Sequence, residues 1–181
     1  DDGFDYDVPA WSPDGRSLVF QRSQSLTAVI AARQGHGAAA DLYRMPAAGG
    51  KMENLTATWD LIPGEAVWTP DGRQVWFSAG IGGSTHLFRV AASGGAVEQM
   101  TRGDRRLTGA TFTNAFDRVA YAMGDSSHPA EVHSARVTAA GIADERKLSS
   151  LTASVLSGLQ VGRTERVSYR SKDGTPVDGW V

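Results

Sequence analysis

The sequence contains no cysteine. That absence excludes a disulfide framework, a thiolate zinc site and a cysteine nucleophile. It fits cytosol and periplasm equally, so it leaves the compartment open. Excess charge is also missing: 18 lysines and arginines stand against 20 aspartates and glutamates, a formal net charge of −2 over 181 residues. Even the densest stretch, 102–106, sets Asp104 among three arginines. Such a balance does not call for nucleic acid or an anionic membrane as the main partner. No apolar run approaches the roughly 18 residues of a membrane span. The opening "DDGFDYDVPA" is acidic rather than basic-then-apolar, so no signal peptide is read in this chain, though a processed precursor is compatible with it. Helical periodicity is weak nearly everywhere.

What the sequence does hold is a repeat. "WSPDGRSLVF" at 11–20 returns as "WTPDGRQVWF" at 68–77. The match continues into "DLYRMPAAGGKMENLT" (41–56) and "HLFRVAASGGAVEQMT" (86–101). There Leu42 and Leu87, Tyr43 and Phe88, Arg44 and Arg89, Gly49-Gly50 and Gly94-Gly95, and Thr56 and Thr101 correspond. A third, weaker copy starts at "ATFTNAFDRVAY" (110–121), with Phe112 in the tryptophan place and Val119 and Tyr121 in those of Val75 and Phe77. Its "TNAFD" has lost the Pro-Asp-Gly turn.

Ser-Pro-Asp-Gly suits a type I turn, with Pro presetting φ at the second position and Gly free to take positive φ at the fourth. The flanks "SLVF", "QVWF" and "RVAY" are β-branched and aromatic, and Leu18 with Phe20, or Val75 with Phe77, share one strand face. "LYRM" and "LFRV" supply a third strand, and the segment after Gly-Gly a fourth. Four short strands per roughly 40–45 residues is the pattern of a β-propeller blade. The fold class expected is all-β: a partial propeller of about three four-stranded blades (about 1–57, 58–102 and 103–150). A linker and a C-terminal hairpin follow at 151–181. The insert 23–40, present in one blade only, has room for a helical turn and is the best candidate for a functional feature.

Closed propellers take four to eight blades, and uncapped repeats leave apolar faces bare. The expectation is therefore either that the chain belongs to a longer polypeptide carrying the missing blades, or that several copies complete a ring through exposed blade faces. Two copies would give six blades.

After the blades comes "ERVSYRSKDGTPVDGWV" (165–181), read as a hairpin turning at Lys172-Asp173-Gly174. Together with "WSPDGRSLVF" and "LYRMPAAGGKMENLT" it resembles the prolyl oligopeptidase family of serine peptidases (family S9), most of all its acylaminoacyl-peptidase branch. The blade motif by itself is shared with TolB-like propellers. The resemblance implies a propeller followed by an α/β-hydrolase domain, of which this hairpin is the start. It implies that the chain limits access of peptide substrates to a hydrolase active site lying outside residues 1–181, with the missing blades and the hydrolase domain as partners. The rival is a TolB-like interaction module. No catalytic, cofactor-binding or metal residue is assigned. "GGSTH" (82–86) has His86 where a nucleophile elbow needs glycine and lies between blade strands. The dipeptidyl-peptidase branch implies paired glutamates in a propeller insert, but 23–40 has no carboxylate.

The remaining candidates read as structural. His36, His86, His128 and His133 lack metal-ligand spacing. The carboxylates of 1–7 lack the glycine and distal glutamate of an EF-hand and read as a solvated lead-in. Asn54-Leu55-Thr56 fits a glycosylation sequon on an outer strand. Trp11, Trp68 and Phe112 recur at one repeat position, as blade-to-blade core residues do. Asp14 and Asp71 belong to turns. Arg44 and Arg89 form ion pairs between blades or line the ring.

Overall fold

The computed structural model describes residues 2–34, 39–162 and 164–181. Among these, twelve strands form three antiparallel meanders. The first is β1 (Phe4–Trp11), β2 (Ser17–Gln24), β3 (Ala40–Pro46) and β4 (Glu53–Asn54). The second is β5 (Pro63–Trp68), β6 (Gln74–Ile81), β7 (Ser84–Ala91) and β8 (Glu98–Gln99). The third is β9 (Arg106–Phe112), β10 (Arg118–Gly124), β11 (Glu131–Thr138) and β12 (Gly141–Lys147). These are β-propeller blades, and residues 2–7, read as a lead-in, are instead largely the first strand. The insert 23–40 contains a six-residue helix, α1 (Leu26–Ala31), capped by the Ser25 hydroxyl accepting the Ala28 N–H. Residues 35–38, His36 among them, lie outside the described residues. A short helix α2 (Ala153–Leu156) precedes the hairpin β13 (Arg166–Arg170) and β14 (Pro176–Trp180).

The repeated turns have a specific chemistry. The Ser12 hydroxyl donates to Asp14 at 2.6 Å and accepts the Ser17 N–H, while Asp14 accepts the Arg16 N–H at 3.0 Å. Thr69 and Asp71 repeat these bonds at 2.6 and 3.0 Å. Gly15 and Gly72 sit at φ +67 and +68, where a side chain is strained. The third turn lost its motif but not its shape. Phe116 occupies the glycine place at φ +57, and its N–H bonds the Thr113 carbonyl at 2.8 Å. Thr113 donates to Asp117, so the carboxylate has moved by two places and still serves the turn. What holds a phenylalanine in this conformation is stacking: its ring lies on Phe112 at 4.2 Å and against Trp76 at 5.7 Å.

The apolar clusters lie between blades rather than within them. Val19, Leu42 and Leu55 of the first blade pack with Trp68, Val75, Phe77 and Phe88 of the second. Trp76 and Leu87 of the second pack with Leu107, Val119 and Tyr121 of the third. Val75 and Trp76 are neighbours in sequence and belong to different clusters, because successive strand residues face opposite ways. Hydrogen bonds also cross the contacts. Trp68 Nε1 donates to the Ala10 carbonyl at 3.2 Å and Gln21 to the Pro63 carbonyl at 2.5 Å. Between the second and third blades a main-chain bond runs from Thr85 N to the Arg105 carbonyl at 2.8 Å.

Two expectations are corrected here. Trp68 is buried and Phe112 packs on Trp76 as its repeat position predicts, but Trp11 is 61% exposed. It lies on the face of the first blade that the second does not cover. Arg44 and Arg89 do not form ion pairs between blades. They pair within their own blades, with Glu53 at 2.8 Å and Glu98 at 2.6 Å across the third and fourth strands. Arg136 and Asp144 repeat the pair in the third blade at 2.8 Å.

A second recurring device ties those strands. The hydroxyl of Thr56, Thr101 or Ser149 accepts the N–H of Leu42, Leu87 or Val132 at 3.1, 2.9 and 2.9 Å. Each hydroxyl also contacts the side chain that opens or lies early in the third strand: Asp41, His86 or Glu131. Thr56 is buried, and Asn54 donates to Asp41 at 2.9 Å while accepting the Thr56 N–H, so the sequon is consumed in the blade.

Phe116 provides a test of the turn. Phe116→Ala keeps the unfavourable φ and loses the ring, whereas Phe116→Gly loses the ring and relieves the backbone. Both destabilise, and alanine is the worse by about 1 kcal/mol. Chemical denaturation of the two variants checks this ordering.

Candidate functional site

The loops between second and third strands, together with the connections from one blade to the next, gather at one end of the array. There the C-terminal hairpin meets the blades. Gly82 and Gly83 form the tight turn between β6 and β7, at φ +55 and +79. The Trp180 indole lies so close to Gly83 that a Cβ there would collide with it. Arg166 reaches the same turn, 3.9 Å from where a Gly82 Cβ would stand, and is ion-paired to Asp178 on the facing strand. Between hairpin and blades lies a cleft of about 530 Å³ whose walls include Ser84, His86, Asp104, Ser126, Arg166 and Trp180. These residues come from four separate stretches of the chain.

His86 is the buried group of this cleft, 4% exposed. The Thr101 oxygen takes the Leu87 N–H, leaving the hydroxyl to face His86 Nδ1 at 3.1 Å. Burial pushes the imidazole below its ordinary value of 6.5, and the positive charges of Arg105 and Arg102 push it the same way. His86 is therefore neutral at pH 7 and shares one hydrogen bond with Thr101. Beside it lies a polar knot within the third blade: Arg105, just before β9, pairs with Glu145 at 2.7 Å, and the Tyr121 hydroxyl donates to the same carboxylate. Burial and then Glu145 raise the Tyr121 pKa, keeping the phenol protonated. Burial works against the Glu145 carboxylate, but the bonds from Tyr121 and Arg105 outweigh it and hold its pKa below the ordinary value.

Ser84 opens β7 opposite Ile81 in a strand-to-strand hairpin, which lacks the sharp strand-to-helix geometry of a nucleophile elbow. His128 pairs with Asp125 at 2.9 Å in an exposed loop, and His133 Nδ1 contacts the Glu131 carbonyl at 2.9 Å while its ring stacks on Tyr121. Among the described residues no three of His, Asp and Glu converge as metal ligands would. Asp2 contacts Tyr6 and pairs with Arg22 at 3.5 Å. Asp14 and Asp71 are held below the ordinary carboxylate range, first by the Ser12 and Thr69 hydroxyls. The cleft thus presents a ring, a guanidinium, hydroxyls, a carboxylate and a neutral imidazole. Sequence reasoning did not find it. The one available signal was the double glycine in a two-residue hairpin, which admits a close neighbour.

No family model and no curated protein matches the sequence. Solved structures do match in fold. TolB from Acinetobacter baumannii is 24% identical, with a TM-score of 0.59 over 82% of this chain and 34% of its own. An acylaminoacyl peptidase from Pyrococcus horikoshii is 18% identical, with a TM-score of 0.65 over 92% of this chain and 23% of its own. The propeller domain of the Trilobed protease from Pyrococcus furiosus, described as having an open velcro topology, is 15% identical, with a TM-score of 0.52 over 76% and 36%. The chain therefore spans between 23% and 36% of these three matched chains, and the likeness is one of fold: a β-propeller fragment.

Two outcomes are expected at this site. Gly83→Ala frees the hairpin by collision with Trp180, so amide exchange in β13 and β14 rises well above that of Gly82→Ala, which strains the turn without a clash. For His86, the unfolded chain binds a proton that the folded one resists, so the folded state loses stability as pH falls below about 6.5. His86→Gln keeps an acceptor for Thr101 without a titrating ring. Its melting temperature falls less between pH 7 and pH 5 than that of the unmodified protein.

Proposed function

We propose that this chain is the access-limiting propeller portion of a serine peptidase of the prolyl oligopeptidase family, most like the acylaminoacyl-peptidase branch. The hairpin β13–β14 is then the opening of the α/β-hydrolase domain. The observation that carries the reading is the hairpin itself. Its "SKDGTPVDGW" is seated by Trp180 on the Gly82-Gly83 turn, at the end of the blades where a following domain would stand. In support, the acylaminoacyl peptidase match covers 92% of the chain, more than the three blades alone occupy. In this role the blades do no chemistry. They shape and restrict the path by which peptides reach a nucleophile outside residues 1–181.

The second reading, a TolB-like propeller that binds a protein partner, is favoured by the TolB match at 24% identity over 82% of the chain. One experiment separates the two. The polypeptide bearing this sequence is recovered from its source cells, its intact mass is measured, and it is treated with a fluorophosphonate probe. A mass far above 19.2 kDa with one labelled serine beyond residue 181, and cleavage of short peptides but not folded proteins, is the expected result. A protein that takes no label and cleaves no peptide removes the peptidase reading and leaves the interaction module.

A further inference from the structure

Glu131 stands in the third blade where Asp41 and His86 stand in the first two, but it does more. Asp41 contacts the hydroxyl of Thr56, and His86 that of Thr101. The Glu131 carboxylate accepts from the Ser149 hydroxyl, from the Leu151 N–H at 3.0 Å, and from the Thr152 N–H and hydroxyl at 2.9 and 2.8 Å. The side chain is one methylene longer than that of Asp41. It reaches past the blade's own closing hydroxyl to the chain that leaves the blade. These donors, Ser149 first, hold the carboxyl down to about 2, so it is ionised throughout the neutral range.

The surroundings give this contact its weight. Glu131 is 4% exposed, although the chain that follows Thr152 is largely exposed. Helix α2, which begins at the next residue after Thr152, buries none of its side chains. Leu151, Val155 and Leu159 are all exposed. The chain next meets the blades in the hairpin, where Trp180 and Arg166 approach Gly82-Gly83. Ser149 is also held by the Val132 N–H, but at Leu151 and Thr152 the departing segment is fastened by the Glu131 side chain, and at its far end the hairpin approaches the blades.

We propose that the Glu131 carboxylate is a pivot: a buried acceptor that fixes the point where the chain leaves the third blade, so that the residues just beyond it, 153–162, swing about that point. This goes beyond the peptidase reading and does not depend on it. It asks only that whatever follows Thr152 be able to move relative to the blades. Charged hydrogen bonds of this kind are among the stronger ones, and removing the acceptor leaves donors that water can satisfy once the segment swings out.

Hydrogen exchange on the 181-residue protein at pH 7, resolved to single amides, tests the pivot. In Glu131→Ala the amides of Leu151 and Thr152 exchange about tenfold faster or more, while those of Val119 and Tyr121 in the blade are unchanged. Glu131→Gln retains one acceptor oxygen and recovers part of the protection, and it serves if the alanine variant does not fold. Unprotected Leu151 and Thr152 amides in the unmodified protein, or unaltered ones in both variants, overturn the proposal. So does an equal loss of protection in the blade amides of the glutamine variant, since Glu131 would then be holding the blade rather than the departing chain.

Discussion

A four-stranded meander has two apolar faces and can bury neither alone. That constraint organises this protein. Each central strand must satisfy two neighbours at once, as adjacent Val75 and Trp76 do by joining different clusters. The strands accordingly read as nearly continuous apolar runs where they are covered on both sides, the pattern expected of doubly buried sheet. Stacking of like units then follows from covering faces. The fold, and with it the placement of the loops at one end, is a consequence of that requirement.

The other face of the first blade carries different chemistry from the contacts between blades. Arg22 occupies the place that Ala79 holds in the second blade. Its guanidinium lies over Phe4 at 3.4 Å and near Tyr43 at 5.2 Å, and its other contacts include the hydroxyls of both Tyr6 and Tyr43. Aromatic bodies and a stacked cation stand here in place of the valine and phenylalanine of the contacts between blades. Trp11 keeps its repeat identity on this face without the burial that Trp68 obtains.

The blades, their turns and the C-terminal hairpin were legible because their determinants are local: a hydroxyl, a carboxylate and a glycine within four residues, between alternating strands. The hairpin even reuses the turn chemistry, with Ser171 and Asp173 bonded and Gly174 at φ +84. Three things were not legible. The turn at 113–118 keeps its shape through Phe112 and Trp76, which no turn motif records. The hydroxyl of Ser149 answers to Thr56 and Thr101 only in space, because the outer strand of the third blade is longer and Ser149 lies 17 residues after Val132, where Thr56 and Thr101 lie 14 after Leu42 and Leu87. The cleft needs Trp180 to meet Gly83, a contact between elements far apart in the chain. Arg44 and Arg89 were misjudged for a related reason: their partners, Glu53 and Glu98, lie nine residues on in the adjacent strand, and pairing register decides what a repeated charge faces.

The two contacts between blades differ in kind. The first is crossed by hydrogen bonds from the Trp68 and Gln21 side chains to main-chain carbonyls. The second includes a main-chain bond, with Thr85 aligned to Arg106 as a parallel bridge. A backbone bond survives any side-chain replacement that keeps the fold, whereas a side-chain bond disappears with one codon. The polar ties of the seam between the first two blades are therefore open to removal by point change, while the seam between the second and third keeps one tie that no side-chain change deletes.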